Sequence, residues 1–424
     1  MTTTNPRALC REILSHWNPD TGFAANLIER AARDHCLDVR DRAFLNSLVL
    51  GVLRNVTLLD HWIDQLRGRG QLKQGLRWLL RQGICEVLLM RTPDHAAVSQ
   101  TVKLAKKYEK GIVNAVLRRA VSESETLLTA VESLPLAVRF SLPAHLIARW
   151  EKRHGSDATV ALCEWMNTPA PVTFRANTLV PGATETLKAT FGARPVEDQP
   201  GFFVADEMPF DAIAAGLCYV QDPSTAAAPE LLAPRSGEYV LDACAAPGGK
   251  AGILATLMEN TGCLLCIDSQ QERVDMTAEN LQRLGITCAT TICHDWLATT
   301  ELPAEIATKT FDRILADVPC SNTGVMRRRV DVRWRLTEPK AFNVLQEIQL
   351  AIVERLIPLL KPGGTLVYST CSIESEENEE MAALILKLHR HLSLRGDTLL
   401  LPHINDTDGG YAAAFVSTPA KINE

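Results

Sequence analysis

Two apolar stretches of the chain each end in a cysteine followed by a serine. Residues 315–322 read LADVPCSN and residues 366–374 read LVYSTCSIE, so Cys320 and Cys371 come where a strand would stop. A thiolate is a strong nucleophile, but an ordinary cysteine, with a pKa of about 8.5, is mostly protonated at neutral pH. A site that uses either thiol must therefore supply a positive or dipolar environment, or a proton acceptor. The spacing by itself does not rank the two thiols.

Four aspartates follow the same rule of lying at strand ends. Asp242 in YVLDACA, Asp268 in CLLCIDS, Asp295 in CHDWL and Asp317 in FDRILADV each lie near the carboxyl end of a predicted strand. A single aspartate in this place is usually a helix cap or a turn residue. Because parallel strands bring their carboxyl ends to one edge of a sheet, four such residues predict a shared ligand-binding edge.

The turn after the first of these strands is built from small residues. It reads CAAPGGK and comprises Cys244, Ala245, Ala246, Pro247, Gly248, Gly249 and Lys250. Glycines let a ligand approach the backbone closely, and the N-terminus of the following helix favours an anionic group. The motif is neither G-x-G-x-x-G nor a P-loop. With Asp268 placed to accept the hydroxyls of a ribose, it predicts a nucleotide-like cofactor and by itself leaves NAD open.

The elements that must position these residues divide the chain into several domains. Residues 1–125 repeat apolar residues at three and four spacing and predict an all-α domain. A polar, acidic linker is predicted for residues 126–140, and a small α+β subdomain, with β-rich pieces such as VTFRANT, for residues 141–215. In residues 216–424 apolar strands alternate with helices, which predicts a doubly wound, Rossmann-like α/β domain.

The charge of the 424-residue chain is unevenly distributed. The net charge is −6, yet residues 1–120 contain 19 Lys and Arg against 11 Asp and Glu, while the remainder contains 25 against 39. The basic part is a candidate footprint for a polyanion. A solvated helical surface explains the charge alone equally well. No apolar run of membrane-spanning length and no signal-peptide layout are visible, so a cytoplasmic protein without a membrane partner is expected.

The cysteines and histidines do not predict a metal site. The twelve cysteines are scattered along the chain, and only Cys263 and Cys266 have C-x-x-C spacing. Positions i and i+3 of a strand face opposite sides, so this pair is not expected to share a metal. His294, His389 and His391 have no partners at ligand spacing. Reduced thiols and no metal are therefore expected.

Several motifs together resemble one enzyme family. The segments DACAAPGGK, IDSQQERV, ADVPCSNTGVMRRRVDVRW and LVYSTCSIESEENE are similar to successive motifs of the S-adenosylmethionine-dependent RNA (cytosine-5)-methyltransferases of the Nop2/Sun type. VQDPSTAAAPELL resembles the stretch that precedes the first motif. DRAFLNSLVLGVLRN, RTPDHAAVSQTVKLAK and GIVNAVLRR are similar to the NusB-like RNA-binding domain of the bacterial RsmB (Fmu/Sun) branch. The resemblance covers nearly the whole chain.

The resemblance implies a reaction and a role for each thiol. In that family a thiolate adds to C6 of cytosine, which makes C5 nucleophilic toward the methyl group of S-adenosylmethionine. The resemblance implies that Cys371 is the nucleophile and that Cys320 assists proton removal or product release. Asp317 is expected to hold or protonate the pyrimidine edge, with Lys250 nearby. Residues 244–250, Asp268, Asp295 and Asp317 are expected to bind the cofactor.

The resemblance also implies an RNA substrate, most specifically 16S rRNA of the small subunit. A target base must leave its stack to reach the cofactor. Predicted RNA contacts are Arg327, Arg328, Arg329 and Arg333 in the loop after Cys320, and Arg175 and Asn177 in the small subdomain. A monomer that does not act on DNA is expected. Three alternatives stay open: a DNA cytosine-5 methyltransferase with the P-C cysteine as nucleophile, an enzyme acting on another RNA, and a NusB-like antitermination factor with an inactive methyltransferase domain.

Overall fold

The structure, a computed structural model, describes residues 5–19, 22–68, 70–90, 92–298, 301–336, 338 and 341–418. Residues 1–4, at the start of the stretch that lacks a signal-peptide layout, lie outside this set. The chain forms two compact units. The first contains residues 1–168 and 326–339, and the second contains residues 169–325 and 340–424.

The α-helices are, in chain order, α1 (Pro6–His16), α2 (Ala24–Asp34), α3 (Val39–Arg54), α4 (Val56–Arg67), α5 (Gln74–Leu88), α6 (Asp94–Leu104), α7 (Lys110–Ser122), α8 (Ser124–Ala130), α9 (Leu136–Arg139), α10 (Ala144–His154), α11 (Ser156–Asn167), α12 (Ala183–Phe191), α13 (Phe210–Ala214), α14 (Ala227–Leu232), α15 (Gly249–Leu257), α16 (Gln271–Arg283), α17 (Ala304–Ala307), α18 (Val332–Arg335), α19 (Ala341–Leu356), α20 (Glu379–Leu388) and α21 (Pro402–Asn405). The strands are β1 (Val172–Ala176), β2 (Arg194–Pro195), β3 (Phe202–Ala205), β4 (Cys218–Val220), β5 (Tyr239–Asp242), β6 (Cys263–Asp268), β7 (Ala289–Cys293), β8 (Phe311–Asp317), β9 (Leu360–Thr370), β10 (Leu392–Leu400) and β11 (Gly410–Ser417).

The first unit is helical, as the apolar spacing predicts. Asn5 begins α1 by accepting a hydrogen bond from the backbone N–H of Arg7 at 3.0 Å, which satisfies one of the donors that a helix start leaves unpaired. In α3 the buried residues Leu45, Leu48 and Val52 recur at three and four spacing. They pack in the core of the unit with Trp62 of α4.

Residues 126–140 differ from the predicted linker. They lie in α8, in a 3-10 turn over Val131–Ser133 and in α9. Leu127 is 1% exposed and belongs to the helical core, so the acidic side chains around it cover a packed face rather than a flexible connection. Helices α10 and α11, predicted as part of the small subdomain, also lie in the first unit.

The second unit begins with a small sheet, which agrees with the predicted α+β pattern. Its strand order is β2-β3-β1-β4, and all its pairings are antiparallel. Phe174, Phe203 and Leu187 of α12 form its core.

A seven-stranded sheet forms the rest of the second unit, in the order β10-β11-β9-β8-β5-β6-β7. Strands β5 to β9 coincide with the predicted strands and are parallel to their neighbours, while β11 runs antiparallel between β9 and β10. Leu254 of α15 packs in one apolar cluster and Val353 of α19 in another, so helices cover both faces. The doubly wound Rossmann-like prediction is confirmed, and the antiparallel addition was not predicted.

Among the described residues no single helix has the length and apolar composition needed to cross a membrane. Helices α3 and α4 reach that length and composition only if they are counted as one segment, and the chain bends by 77° between them.

Candidate active site

The two thiols meet at the carboxyl edge of the parallel strands. Cys320 follows β8 and Cys371 follows β9, and these strands pair in parallel with Asp317 opposite Ser369. The two Sγ atoms lie 3.2 Å apart, and both residues are partly exposed. Strand pairing therefore brings together two side chains that are 51 positions apart in the sequence.

Asn322 joins the two cysteine loops. The Sγ of Cys371 donates to its Oδ1 at 3.2 Å, and its Nδ2 donates to the backbone oxygen of Cys320 at 2.7 Å. Asn322 has a φ of 61°, a left-handed conformation that asparagine tolerates better than most residues. The tight turn thus directs its amide at both cysteines.

The environment of Cys320 favours its protonated form. Its hydrogen bond with Cys371, burial and the negative charges of Cys371 and Glu377 raise its pKa well above the ordinary value, and the backbone hydrogen bond from Asn322 acts in the opposite direction. At neutral pH Cys320 is therefore a thiol, whose S–H can donate to the sulfur of Cys371.

An ion pair lies at the same edge. Lys250 Nζ is 2.6 Å from Asp317 Oδ2, and Ser369 Oγ donates to the other oxygen of Asp317 at 2.8 Å. Burial alone would lower the pKa of Lys250, but the charge and hydrogen bond of Asp317 raise it above its ordinary value. Lys250 therefore stays charged and fixes the orientation of the Asp317 carboxylate.

Asp242 lies at the end of β5 with no exposed surface. Burial, followed by the negative charge of Asp317, raises its pKa to about 7, while Lys250 acts in the opposite direction. Its ionisation near neutral pH is therefore coupled to the charges of the Lys250–Asp317 pair.

The predicted cofactor turn has the geometry of an anion cradle. Gly248 has a φ of 99°, and its N–H donates to the Ala245 oxygen at 2.7 Å, directly before α15 begins. A Cβ on Gly249 would lie 3.0 Å from the Tyr219 ring, so the small residue is also required by packing. Helix α15 begins directly after this turn, and the free backbone N–H groups of its first residues favour negative charge.

Asp268 and Asp295 lie at the neighbouring strand ends, as predicted. Asp268 is buried, pairs with Arg273 at 2.9 Å and accepts from the Ala246 N–H at 3.3 Å. A carboxylate has about four acceptor positions, so it can hold a ribose hydroxyl in addition. Asp295 is partly exposed and accepts from the Leu297 N–H at 2.9 Å. These donors and acceptors fit the ribose and polar edge of an adenosyl group.

A cleft of about 420 Å³, partly open to solvent, adjoins this edge. Its lining includes Lys250, Asp317, Ser369, Cys371, Asp408 and Tyr411. Both thiols belong to the described part of the chain. Cys371 lines the cleft, and Cys320 does not. A planar ring that enters it therefore meets Cys371, with the Lys250–Asp317 pair on the same wall.

One arginine of the predicted RNA-binding loop, Arg333, is buried within the first unit. Arg333 has no exposed surface, and its NH1 donates to the oxygens of Arg54 and Phe140 at 2.9 and 3.0 Å. Burial lowers its pKa to about 9. Its donors hold helices of the first unit together, so its placement gives no support to the predicted RNA contact.

The neighbouring arginines differ in exposure. Arg327 lies over the ring of Trp165 and Arg329 over that of Phe23, at 4.3 and 4.6 Å from the ring centroids. Arg329 is exposed, whereas Arg327 and Arg328 are partly exposed. For these three residues RNA binding stays a prediction.

The two RNA contacts predicted in the small sheet are buried instead. Asn177 is 3% exposed, and its Nδ2 donates to the oxygens of Gly216 and Leu284, each at 2.9 Å. Arg175 is 8% exposed, donates to Gln221 at 3.2 Å, and has its pKa lowered to about 10 by burial. Both hold the small sheet in place, so their placement gives no support to the predicted RNA contact.

Sequence reasoning missed the polar side chains behind the thiols. Glu377 is buried and accepts hydrogen bonds from Ser321 and Ser372, the residues that follow the two cysteines. The run ESEENEE predicts a solvated, acidic helix start, but Glu377 lies in a 3-10 turn before α20. The repeated C-S pair was the signal that could have pointed to a shared acceptor.

Two family models match the chain. One, described as 16S rRNA methyltransferase RsmB/F, matches residues 229–416, and one described as NusB family matches residues 4–122. The chain is 32% identical to the probable ribosomal RNA small subunit methyltransferase B of Bacillus subtilis, over 98% of this chain and 99% of the relative. It is 31% identical to the protein with the same description from Synechocystis, over 96% and 98%.

Solved structures share the fold. The crystal structure of PH0851 has a TM-score of 0.75 and 24% identity, over 97% of this chain and 99% of that one. The structure of NSun6 from Pyrococcus horikoshii with SFG has a TM-score of 0.57 and 19% identity, over 66% and 99%.

Proposed function

This chain belongs to the RsmB/F family of 16S rRNA methyltransferases, and we propose that it methylates C5 of a cytosine in small-subunit rRNA through a covalent bond between Cys371 and C6. It is an rRNA methyltransferase with a NusB-family domain. The observation that carries the proposal is the pair of thiols 3.2 Å apart, of which Cys371 lines the cleft beside Lys250 and Asp317.

We propose S-adenosylmethionine as the methyl donor, which supplies an electrophilic methyl group on a sulfonium. The turn at Gly248 and Gly249 and the carboxylates of Asp268 and Asp295 would hold it. The NSun6 structure contains SFG, an analogue of this donor, which supports the proposal. Binding of S-adenosylmethionine to an Asp268→Ala variant, measured by calorimetry, is expected to be at least about tenfold weaker, since a lost hydrogen bond to a charged group is worth about 1.5–3 kcal/mol.

The first covalent step forms a bond between Cys371 Sγ and C6 of the cytosine. Asp317, held by Lys250 and Ser369, would accept a hydrogen bond from the N4 amino group of the ring. The proton of Cys371 would pass to solvent, and the electron pair of the C5=C6 bond would move toward C5 as the Sγ–C6 bond forms. The ring then resembles an enamine with a nucleophilic C5. C5 would attack the methyl carbon of the donor, the bond from that carbon to the sulfonium sulfur would break with its electron pair left on sulfur, and S-adenosylhomocysteine would be the leaving group. Lys250 keeps the Asp317 carboxylate in one orientation.

Release requires that the proton on C5 and the bond to Cys371 both be lost. Before the adduct forms, the charge and hydrogen bond of Cys371 help to raise the pKa of Cys320. The covalent bond to C6 removes that negative charge, so the pKa of Cys320 falls and its proton can leave to solvent. The resulting thiolate takes the C5 proton, the C5–H electron pair restores the C5=C6 double bond, and Cys371 leaves as a thiolate.

The two cysteines are tested by separate substitutions. Cys371→Ala is expected to abolish tritium transfer from labelled S-adenosylmethionine to unmodified 16S rRNA. Cys320→Ala is expected to accumulate a protein–RNA adduct on a denaturing gel, because release lacks its base. Retained turnover by Cys371→Ala, or an adduct in Cys371→Ala instead, would reverse the assignment and make Cys320 the nucleophile.

We further propose that the protein acts as a cytoplasmic monomer, since its rRNA substrate is found there and one chain supplies Lys250, Asp317 and both thiols of the proposed site. Light scattering is expected to give the mass of a single chain, 46.6 kDa. A stable dimer mass would contradict this.

A further inference from the structure

Glu377 lies directly behind the two thiols and contacts the loops that carry both. Its Oε1 accepts from the backbone N–H of Ser321 at 2.8 Å, and its Oε2 accepts from Ser372 Oγ at 2.5 Å and from Ser321 Oγ. Ser321 follows Cys320 and Ser372 follows Cys371. One carboxylate therefore ties together the residues next to each reactive sulfur.

A second side chain supports Glu377 from behind. Gln349 of α19 donates through Nε2 to Glu377 Oε1 at 2.9 Å and to the backbone oxygen of Pro319 at 3.0 Å. The Tyr368 hydroxyl lies 2.6 Å from the Glu377 backbone oxygen and 3.1 Å from Gln349 Oε1. All of these side chains are buried, so each hydrogen bond forms where water does not compete for it.

We propose that Glu377 is the positioning residue that sets the separation of Cys320 and Cys371 for the reaction. The inference rests on the proposed function, in which both thiols must reach one ring in turn. A displacement of about 1 Å at a reacting group can cost about 100-fold in rate, so a shared acceptor behind both loops has a direct effect on turnover. Glu377 touches neither substrate nor donor and acts through the serines.

Its charge has a second effect on the pair. The hydrogen bond with Cys371, burial, the charge of Cys371 and the charge of Glu377 all raise the pKa of Cys320. A neutral residue at position 377 removes one of these causes and lowers the pKa of Cys320. The pH profile for release of the adduct should then move to lower pH, which a purely structural role would not produce.

The test compares Glu377→Gln with Glu380→Gln, an exposed glutamate of α20 that makes the same chemical change three residues away. Glu377→Gln is expected to bind S-adenosylmethionine as the wild type does, to lose about 10- to 100-fold in kcat with a KM for rRNA that changes little, and to show the shifted profile. Glu380→Gln is expected to match the wild type.

A chemical measurement reports the separation of the sulfurs without turnover. Diamide removes two hydrogens from a pair of thiols to give a disulfide, whose S–S bond of about 2.05 Å requires only a short approach from the observed separation. Mass spectrometry of the peptides that contain Cys320 and Cys371 is expected to show slower disulfide formation in Glu377→Gln than in wild type and Glu380→Gln.

The outcomes separate the two proposals. Wild-type kcat and wild-type disulfide formation in Glu377→Gln would overturn the positioning role. If Glu377→Gln fails to fold, Ser372→Ala removes one arm of the network and is expected to lose about tenfold in kcat, and unchanged kcat there would overturn it as well. Turnover by Cys371→Ala would refute the proposed mechanism while the disulfide result still decides the role of Glu377.

Discussion

The ionisable residues beneath the cleft form a coupled set. Asp317 and Lys250 make a short ion pair, and both influence Asp242, which has no exposed surface. Removing the charge of Asp317 or of Lys250 changes the protonation of Asp242, because both charges are among the causes that shift its pKa. At the scale of single residues the site is therefore best tested by substitutions that remove one charge and keep the side-chain volume.

Lys250→Met should reduce methyl transfer by at least about tenfold, since a charge-assisted hydrogen bond is worth about 1.5–3 kcal/mol. The reason is that the Asp317 carboxylate loses the partner that orients it. Single-turnover transfer of labelled methyl to rRNA measures this. Lys309→Met, an exposed lysine of the same unit, serves as the control. Equal rates for the two variants would contradict a role for the ion pair.

Asp242→Asn should change how stability depends on pH. Burial raises the pKa of Asp242 from an ordinary value near 3.8 to about 7, so its contribution to stability is full below pH 3.8 and is lost as the pH rises through 7. Asparagine carries no such contribution. Between pH 5 and pH 8 the free energy of unfolding of the wild type should therefore fall, relative to that of the variant, by at most about 3 kcal/mol.

The pH dependence of the free energy of unfolding can be measured by urea unfolding, with hydrogen exchange in the peptides of β5 and β6 as the signal. Those peptides report on the second unit alone. Parallel stability curves of wild type and Asp242→Asn across that pH range would show that the carboxyl group is not titrating there.

At the scale of elements, the segment from Met326 to Arg335 is a structural anchor. It follows the Cys320 loop in the chain but belongs to the first unit, where Val330 joins the apolar core. The Ala24 N–H donates to Asp331 at 3.0 Å, and Trp334 Nε1 donates to the Leu53 oxygen at 2.9 Å. The arginine-rich composition of this segment serves packing and hydrogen bonding to carbonyl groups.

Arg333→Met should destabilise the first unit by about 2–4 kcal/mol, because several buried carbonyl oxygens lose their donor. Arg329→Met, an exposed arginine four residues earlier, should have little effect. Thermal unfolding by circular dichroism compares the two variants. Equal midpoints would mean that the buried guanidinium does not contribute to stability.

At the scale of the whole molecule, the basic surface of the first unit is a further candidate for RNA contact, beside Arg327, Arg328 and Arg329. Lys103, Lys106, Lys107 and Lys110 are exposed at the end of α6, the start of α7 and the connection between them, and Tyr108 beside them is 69% exposed. Exposed lysines near an exposed ring suit phosphate contact and base stacking. This surface takes the place of the buried Arg333 in our account of RNA binding.

Replacing Lys106, Lys107 and Lys110 with glutamine should weaken rRNA binding and reduce its dependence on salt, because fewer counterions are released. The slope of log K against log salt should fall by about 2 if all three contact phosphate. Filter binding at several salt concentrations measures it.

The control replaces three exposed lysines of the second unit, Lys188, Lys309 and Lys387, with the same change in net charge. S-adenosylmethionine binding should be unchanged in both variants. An equal loss of RNA affinity in both would indicate a general charge effect instead of a contact surface.

Regular local patterns explain what could be predicted. Strands β5, β6 and β8 end in Asp, and Cys371 directly follows the last residue of β9. The rule that parallel strands share a carboxyl edge was sufficient to bring Cys320 and Cys371 together. β11 reads GYAAAFVS and lacks the alternation of polar and apolar residues that identifies an exposed strand. It is buried on both faces between β9 and β10, so only its neighbours define it.

By itself, the sequence determined the helical character of the first unit, strands β5 to β9 and the family motifs, because these depend on local periodicity and on residue type. It also supplied the two thiols that we propose to react. Only the tertiary structure decided which polar side chains face solvent. Arg333, Asn177 and Glu377 are charged or polar residues that an exposed loop would also contain, yet each is buried because distant backbone or hydroxyl groups satisfy it. Most of these partners lie far away in the chain, as Ser321 does from Glu377, so local periodicity does not reveal them.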